Sequence, residues 1–299
     1  MSFRVLGVGI VTLDIINLVG HYPSEDEELR AEAQQICRGG NSANTLSVLS
    51  QFNHNCYWAG TLANDGDSKF ILDDFSKNKI DTSLADNLKS GKQPTSYITL
   101  NKSNGSRTIV HYRDLPEFSF EHFKTIPLEQ FDWVHFEARA IEDTALMVRL
   151  IKSQHPNVKI SIEIEKSRIN LQKLFGLADI YIFSKAYASQ NGYNDAKEFL
   201  KQQKKHSVNS DLVCSWGKEG AYALLLNNDF LYSKAYPPNM VVDTIGAGDT
   251  FNAALIHSRL TKKNWQDSLT FACKIAGKKC GQYGYANLTT DIDMLQHIV

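Results

Sequence analysis

The chain has 299 residues, of which 42% are hydrophobic and 22% are charged, and its formal net charge is −1. This balance is ordinary for a globular protein and gives no electrostatic basis for binding nucleic acid or an anionic membrane. No apolar run approaches the about 20 residues that a membrane-spanning helix needs, and five cysteines without paired spacing argue against a disulfide framework. We therefore expect a cytoplasmic protein with neither nucleic acid nor membrane as a partner.

The N-terminal part of the chain predicts three strands in succession. Residues 3–9 and 11–19 are apolar runs, residues 20–28 are polar and turn-rich, and residues 29–37 could return as another strand. Asp14 interrupts the second run. It is either an outward-facing strand position or a ligand for a polar molecule, and alternation of the neighbouring side chains favours the first interpretation.

Glycines and asparagines lie where the next helix should begin. Gly40 is followed by Asn41 and Asn44, and residues 45–52 have helical spacing of apolar side chains. Side chains three residues apart share one face of a helix, so both amides should point the same way. N-capping by Asn41 is the simplest alternative, and it leaves Asn44 unexplained.

A β-hairpin is predicted further along the chain. Residues 95–101 and 107–112 read as strands, and the Asn104-Gly105 pair between them is a strong hairpin signal. A hairpin that projects from an α/β body suits a lid. With lid strands within residues 11–37 and 93–115, a small sheet would cover a substrate.

Strand and helix signals alternate from residue 131 onward. This rhythm predicts a mainly parallel sheet covered on both faces, with ligands bound at the carboxyl ends of its strands. We expect one domain over residues 1–299. The predicted strands are residues 56–60, 133–136, 159–164, 180–183 and 212–216, and the predicted helices are residues 65–78, 142–153, 168–175, 194–204 and 271–280.

Residues 241–254 predict the end of a strand, a turn and then a helix. Gly246 and Gly248 lack a Cβ atom, so the backbone of the turn can approach a ligand closely. Free N–H groups of the first helical turn would point at an anion beside Asp249, whose carboxylate the helix terminus should keep ionised. This combination suits phosphoryl transfer to a hydroxyl, although Asp and Gly are also common helix caps.

Two motifs carry a family resemblance. The run Asp-Thr-Ile-Gly-Ala-Gly-Asp-Thr-Phe at residues 243–251 resembles the C-terminal signature of the ribokinase-like (PfkB) carbohydrate kinases, and Gly-Gly-Asn-Ser-Ala-Asn at residues 39–44 resembles their N-terminal signature. The resemblance implies a three-layer α/β/α fold with a mainly parallel central sheet and a small β-sheet lid. The flanking residues most resemble family members that act on ketohexoses. That implies ATP-dependent conversion of D-fructose to fructose 1-phosphate by a homodimer formed through the lid sheet.

The resemblance also implies roles for individual residues. Asp249 matches the general base that accepts the proton of the sugar hydroxyl, while the N–H groups of Gly246, Ala247 and Gly248 stabilise the transferring phosphoryl group. The sugar-binding positions are Asp14, Gly40, Asn41, Asn44 and Asp249, and the nucleotide-binding positions are Arg107, Gly217, Lys218, Glu219, Gly220, Gly246, Gly248 and Cys280.

Some positions depart from the family pattern. Lys218 replaces an acidic residue, Ser106 stands where ketohexose-acting relatives have Asn, and the Asn-x-x-Glu metal motif reads Ser-Lys-Ala-Tyr at residues 184–187. We therefore expect Mg²⁺ to be held by phosphates and water, with no protein ligand that can be named. Activation by K⁺ is a further implication, with loop carbonyls near Asp243 as candidate ligands.

Two alternatives to a ketohexose kinase stay open. One is a kinase of the same family that acts on another sugar or on a nucleoside. The other is a catalytically silent sugar sensor, against which the intact Asp249 and both glycines of the turn argue.

Overall fold

Two sheets account for most of the strands in the structure, which is a computed structural model that describes residues 2–290. The strands are β1 (Arg4–Val8), β2 (Thr12–Val19), β3 (Ala33–Gly39), β4 (Asn55–Ala59), β5 (Thr61–Leu62), β6 (Ile80–Asp81), β7 (Asp86–Asn87), β8 (Thr95–Asn101), β9 (Arg107–Tyr112), β10 (Trp133–Glu137), β11 (Lys159–Ile164), β12 (Ile180–Ser184), β13 (Asp211–Ser215), β14 (Ala221–Leu224) and β15 (Phe230–Ser233). The predicted domain at residues 1–299 includes ten positions, Met1 and 291–299, that lie outside the described residues.

Helices connect most of these strands. The α-helices are α1 (Asn41–Gln51), α2 (Gly66–Lys77), α3 (Phe120–Phe123), α4 (Ile141–Gln154), α5 (Lys185–Gln190), α6 (Ala196–Lys204), α7 (Ala247–Leu260) and α8 (Trp265–Cys280), and short 3-10 helices lie at Leu128–Gln130, Leu171–Leu174 and Gly217–Glu219. None of the helices within residues 2–290 combines the length and the apolar character needed to cross a membrane.

The larger sheet has nine strands in the order β15-β14-β13-β12-β11-β10-β1-β4-β6. In this order, all neighbours between β13 and β6 pair in parallel. β14 and β15 are antiparallel additions at the other edge. Alternate residues of a strand point to opposite faces of the sheet and belong to two separate buried clusters. Val5 packs with α1, α7 and α8, whereas Leu6 packs with α4 and α6 on the other face. The predicted α/β fold with a mainly parallel, doubly covered sheet is confirmed.

The smaller sheet has the order β3-β2-β8-β9. β2 is antiparallel to β3 and parallel to β8, and β8 and β9 form the predicted hairpin. Because side chains alternate along a strand, the sheet has two distinct faces. Asp14, Ser96 and His111 align on the face toward the central sheet. Tyr97 and Val110 align on the opposite face, where they are 43% and 66% exposed.

Two local predictions were wrong. The helix predicted at residues 168–175 is only the 3-10 turn Leu171–Leu174, because the backbone has positive φ at both flanks, 64° at Asn170 and 78° at Gly176. The strand end predicted at residues 241–243 is irregular backbone. There, the N–H groups of Val242 and Asp243 donate to the carbonyl of Cys280 at the end of α8 instead of to a neighbouring strand.

Two histidines are packed together behind the central sheet. His54 Nε2 and His257 Nδ1 are 3.0 Å apart, and the N–H of Phe3 donates to His54 Nδ1. The ring of Phe52 stacks on His257 with 4.0 Å between centroids. Burial lowers the pKa of His54 to about 4 and the pKa of His257 to about 3, so the pair is neutral in the folded protein at neutral pH.

We expect this histidine pair to contribute a decrease in the free energy of unfolding as the pH falls from about 6.5 toward about 4. In that range the histidines of the unfolded chain bind protons and the folded pair does not, so the unfolded state gains protons and becomes favoured. Urea unfolding at several pH values should give a less positive slope of the free energy of unfolding against pH in a His54→Asn/His257→Asn variant than in the wild type. A His21→Asn variant, altered at a side chain that is 62% exposed, should keep the wild-type slope. Equal slopes in all three proteins would contradict this assignment.

Candidate active site

A cavity of about 510 Å³ lies between the central sheet and the small sheet, at the carboxyl ends of β10, β11 and β12. A second cavity of about 360 Å³ lies between the β13–β14 turn and α8, and its lining is mostly apolar. Ser215, Thr244 and Gly248 line both. The polar and the apolar cavity therefore meet at the N-terminus of α7.

The turn before α7 has the geometry expected of an anion site. Gly246 is the N-cap residue with φ of 75°, and a Cβ atom there would lie 1.9 Å from the hydroxyl oxygen of Tyr285. Only glycine meets both conditions. The amides of Gly248 and Asp249 belong to the first helical turn, where no carbonyl of the same helix can accept from them. These N–H groups are available to a negatively charged ligand.

Asp249 is the third residue of α7 and is only 6% exposed. Its Oδ2 accepts a 2.8 Å hydrogen bond from the Asn44 amide on α1. The orientation of that amide is set in turn by Arg38, whose Nη1 donates to Asn44 Oδ1 at 3.0 Å. Arg38 itself is held by Asp74 at 2.6 Å. A chain of polar contacts thus runs from the surface of α2 to the Asp249 carboxyl.

The helix terminus does not decide the ionisation of Asp249. Burial raises the pKa of this carboxyl to about 8, although the hydrogen bond from Asn44 acts in the opposite direction. The charges of Glu165 and Glu137 raise the pKa further. The expectation that the helix N-terminus keeps Asp249 ionised left out desolvation and two neighbouring carboxylates, which shift its pKa in the opposite direction.

A second buried carboxyl group, Glu163 at the end of β11, joins the two helix N-termini. Its oxygens accept hydrogen bonds from Asn252 on α7 at 2.9 Å and from Asn41 on α1 at 3.1 Å. Burial raises the pKa of Glu163 well above its ordinary value, with the Asp249 charge as the next cause. Asn41 and Asn44 do face the same side of α1, as predicted.

Cationic side chains also line the polar cavity, namely Arg107, Arg139, Lys166 and Arg168. Arg107 comes from the small sheet, at the start of β9. Arg139 is oriented by Glu117, which accepts from its Nη2 at 2.9 Å. Four cations around a cavity of this size favour a ligand that carries several negative charges.

Most of the predicted site residues line one of the two cavities. The polar cavity is lined by Asp14, Gly40, Asn41, Asn44, Arg107, Gly246, Gly248 and Asp249, and the apolar cavity by Gly217, Lys218, Gly220, Ala247, Gly248 and Cys280. Asp14 faces the cavity and accepts from Thr12 at 2.7 Å, so the favoured outward interpretation was wrong.

One further prediction and one alternative interpretation differ from the structure. Glu219 lines neither cavity, and its carboxylate pairs with Lys185 at 3.0 Å. Asn41 is not the N-cap of α1. Gly40 takes that position with φ of 109°, and a Cβ atom on it would lie 2.2 Å from the carbonyl oxygen of Ile10. The Asn41 side chain is therefore free to face the cavity.

Several cavity residues were not predicted, namely Glu137, Arg139, Glu163, Glu165 and Asn252. A usable signal was present for two of them. Glu137 and Glu163 each follow a buried apolar residue at or near the carboxyl end of a parallel strand, which is where ligands bind in such sheets.

The residues present do not form a protein cage for a metal ion. Within residues 2–290 there is no group of three or more His, Cys, Asp or Glu side chains placed to hold one. Both oxygens of Glu163 are occupied by amide donors. That Mg²⁺ is held mainly by phosphates and water stays a prediction, based on the reluctance of Mg²⁺ to release its hydration shell.

The sequence was compared with protein families, and the model of the pfkB family of carbohydrate kinases matches residues 3–292. The chain belongs to this family. It is 39% identical to mouse ketohexokinase over 290 residues, covering 94% of this chain and 97% of that protein. We therefore describe it as a ketohexokinase-like sugar kinase.

Solved structures of this family share the fold. A ribokinase from Arabidopsis thaliana complexed with ribose and ATP has a TM-score of 0.80 at 18% identity, covering 95% of this chain and 94% of that one. A ribokinase from Cryptococcus neoformans in complex with ADP has a TM-score of 0.79 at 16% identity, covering 100% of both chains. At these identities the similarity establishes the ribokinase-like fold alone.

Proposed function

We propose that this kinase transfers the terminal phosphoryl group of ATP to a ketohexose, with D-fructose as the main substrate and fructose 1-phosphate as the product. The observation that carries the proposal is the hydrogen-bonded pair Asn44–Asp249, which stands where a polar and an apolar cavity meet. The identity with mouse ketohexokinase supports the choice of sugar.

The polar cavity suits a sugar as phosphoryl acceptor. A sugar presents hydroxyl groups that both donate and accept hydrogen bonds, and the side chains of Asp14, Asn41 and Asn44 together offer both functions. Ser96 and Ile98 of the small sheet cover the cavity from the other side. A covered site excludes water, which would otherwise compete with the sugar as the acceptor.

The apolar cavity suits the base of ATP. Tyr236, Pro238 and Cys280 line it, and a nucleotide base needs a flat apolar slot of this kind. The phosphates then extend past Gly248 into the polar cavity, toward the cations of Arg107 and Arg139. Mg²⁺ neutralises phosphate charge when it is bound. Lys218, which lines the apolar cavity, adds a positive charge.

In the proposed reaction Asp249 accepts the proton of the sugar hydroxyl as that oxygen attacks the terminal phosphorus. The bond from the phosphorus to the leaving ADP oxygen breaks in the same step. N–H groups of Gly246 and Gly248 stabilise charge on the phosphoryl oxygens during the transfer, whereas the predicted Ala247 N–H donates to the Thr244 carbonyl at 3.3 Å in this structure. Asn44 holds the Asp249 carboxyl toward the acceptor.

A substrate panel tests the proposed function. ADP release in a coupled assay is measured with fructose, tagatose, ribose and adenosine, and NMR locates the phosphate on the product. We expect fructose to give the highest kcat/KM and a 1-phosphate product. A preference for ribose or adenosine would establish the alternative kinase, and sugar binding without ADP release would establish a sugar sensor.

Replacing Asp249 by Asn should reduce kcat by about 10²-fold to 10⁴-fold, which is the usual contribution of a positioned general base. The amide oxygen of Asn can still accept the hydrogen bond from Asn44, so the shape of the site is retained. Calorimetry should show that fructose and ATP still bind with nearly wild-type affinity. Turnover close to that of the wild type would exclude Asp249 as the base.

The pH dependence of kcat/KM should show an acidic limb well above that of an ordinary aspartate. The base must be ionised, and burial raises the pKa of Asp249 to about 8, so activity at subsaturating substrate falls as the pH drops through that region. Because the charge of Glu165 contributes to this shift, Glu165→Gln should move the limb to lower pH. Glu142→Gln, at a carboxylate that is 54% exposed, is the matched control and should leave the limb unchanged.

We also propose that the protein forms a homodimer through the outer face of the small sheet. Four apolar or aromatic residues are exposed on this face, along the hairpin at one edge and the strand at the opposite edge. Their exposed fractions are 47% for Ile36, 43% for Tyr97, 66% for Val110 and 48% for Tyr112. Sedimentation should show a dimer that Val110→Asp converts to a monomer. Ile169→Asp, at a residue that is 86% exposed elsewhere, should leave the dimer intact. A wild-type monomer at micromolar concentration would refute this proposal.

A further inference from the structure

Lys279, near the C-terminal end of α8, is fully buried although it carries a charged side chain. Its ammonium group has three hydrogen-bond partners. Nζ donates to the Asp243 carboxylate at 2.7 Å, to the Asp243 carbonyl at 3.1 Å and to the Gln282 carbonyl at 3.3 Å. The ring centroid of Tyr285 lies 5.7 Å from the same nitrogen. An ammonium has three protons to donate, and here all three are used.

These contacts act on the turn that leads into α7. One oxygen of the Asp243 carboxylate binds Lys279, and the other accepts from the N–H of Ile245 at 2.8 Å. Tyr285 presses on the next residue, Gly246, at the position where a Cβ atom would lie. The ammonium therefore contacts the start of the turn directly at Asp243. It acts on the end of the turn, at Gly246, through Asp243 and Tyr285.

Loop carbonyls near Asp243 were the predicted candidate ligands of a monovalent cation, and the oxygens of Asp243 itself do not fit that role in this structure. Both the carbonyl and Oδ2 of Asp243 already bind the Lys279 ammonium. Carboxylate and carbonyl oxygens around a single positive charge are the environment of such an ion, but the charge here belongs to the chain. An ion placed on the same oxygens would lie against another cation.

We propose that Lys279 is a positioning residue that replaces a bound monovalent cation at this turn and holds the phosphoryl-binding N–H groups of Gly246 and Gly248 in place. A buried ion pair is a poor source of stability compared with apolar packing, so a charge at this position is better explained by the geometry it imposes. Lys279 is also adjacent to Cys280, which lines the apolar cavity. The same segment of α8 thus contacts the turn and the base-binding cavity.

This inference rests on the proposed phosphoryl transfer at α7 and not on the identity of the sugar. It is tested with whichever sugar the wild type phosphorylates best, so failure of fructose as a substrate leaves the test intact. Lys279→Met keeps the length of the side chain and removes the charge. We expect kcat to fall by about tenfold to a hundredfold and KM for the sugar to change by less than about threefold, because loss of positioned N–H groups affects the transition state most.

Chemical rescue separates positioning from a purely structural role. Lys279→Ala leaves a space that methylammonium can enter and tetramethylammonium cannot. At equal ionic strength, the ratio of kcat in the two salts should be about tenfold or more in this variant and close to the wild-type ratio in Lys204→Met. Lys204 is a suitable control because its ammonium also binds a backbone carbonyl, that of Ser210, far from the turn.

Three results would overturn the proposal. They are an unchanged kcat in Lys279→Met, equal rates of Lys279→Ala in the two salts, and a loss of activity that only follows the fraction of folded protein in thermal melts. If neither variant folds, Asp243→Asn is measured instead, because it weakens the same contact and retains the shape of the side chain. It should show the same selective loss of kcat, and an unchanged kcat would overturn the proposal equally.

Discussion

The hydrogen bond from Asn44 to Asp249 joins two helices whose contacting residues are 205 positions apart in the chain. Both helices begin at the same edge of the central sheet, and each contributes an amide to Glu163 as well. The site therefore depends on two helix N-termini that converge on buried carboxyl groups. Partial positive charge at the termini offsets part of the desolvation that those carboxyl groups undergo, which makes their burial tolerable.

The polar cavity contains charged side chains of both signs. Glu137, Glu163, Glu165 and Asp249 line it together with Arg107, Arg139, Lys166 and Arg168. Some of these groups already pair, since Lys166 lies 3.5 Å from Glu165 and Arg139 donates to Glu117 at 2.9 Å. A ligand that carries negative charge can interact with the cations, and a neutral ligand with hydroxyl groups can donate to the carboxyl groups.

Much of this architecture was predictable from the sequence because its signals are local. The hairpin at residues 95–112 follows from Asn-Gly between alternating strands, and the glycine turn before α7 follows from backbone requirements that no other residue meets. The parallel sheet follows from the alternation of buried strands with helices. These features depend on residues that are close together in the chain, so a sequence pattern is enough to predict them.

What escaped prediction depends on residues far apart in the chain. The raised pKa of Asp249 arises from burial and from Glu137 and Glu165, none of which its neighbours in the sequence reveal. Arg38 was missed for the same reason, since its function comes from contacts with Asn44 and Asp74. The short turn at residues 171–174 is a case in which a helix was predicted and is absent. Positive φ at Asn170 prevents the helix there.

The single residue between the small sheet and the active-site helix has a mechanical consequence. β3 ends at Gly39 and α1 begins at Asn41, so Gly40 alone connects the small sheet to the helix that carries the amides of Asn41 and Asn44. Because α1 is buried in the core, a change in the position of β3 would be felt first at Gly40, beside Asn41 and Asn44. The placement of the small sheet and the placement of these two amides are therefore linked through one peptide unit.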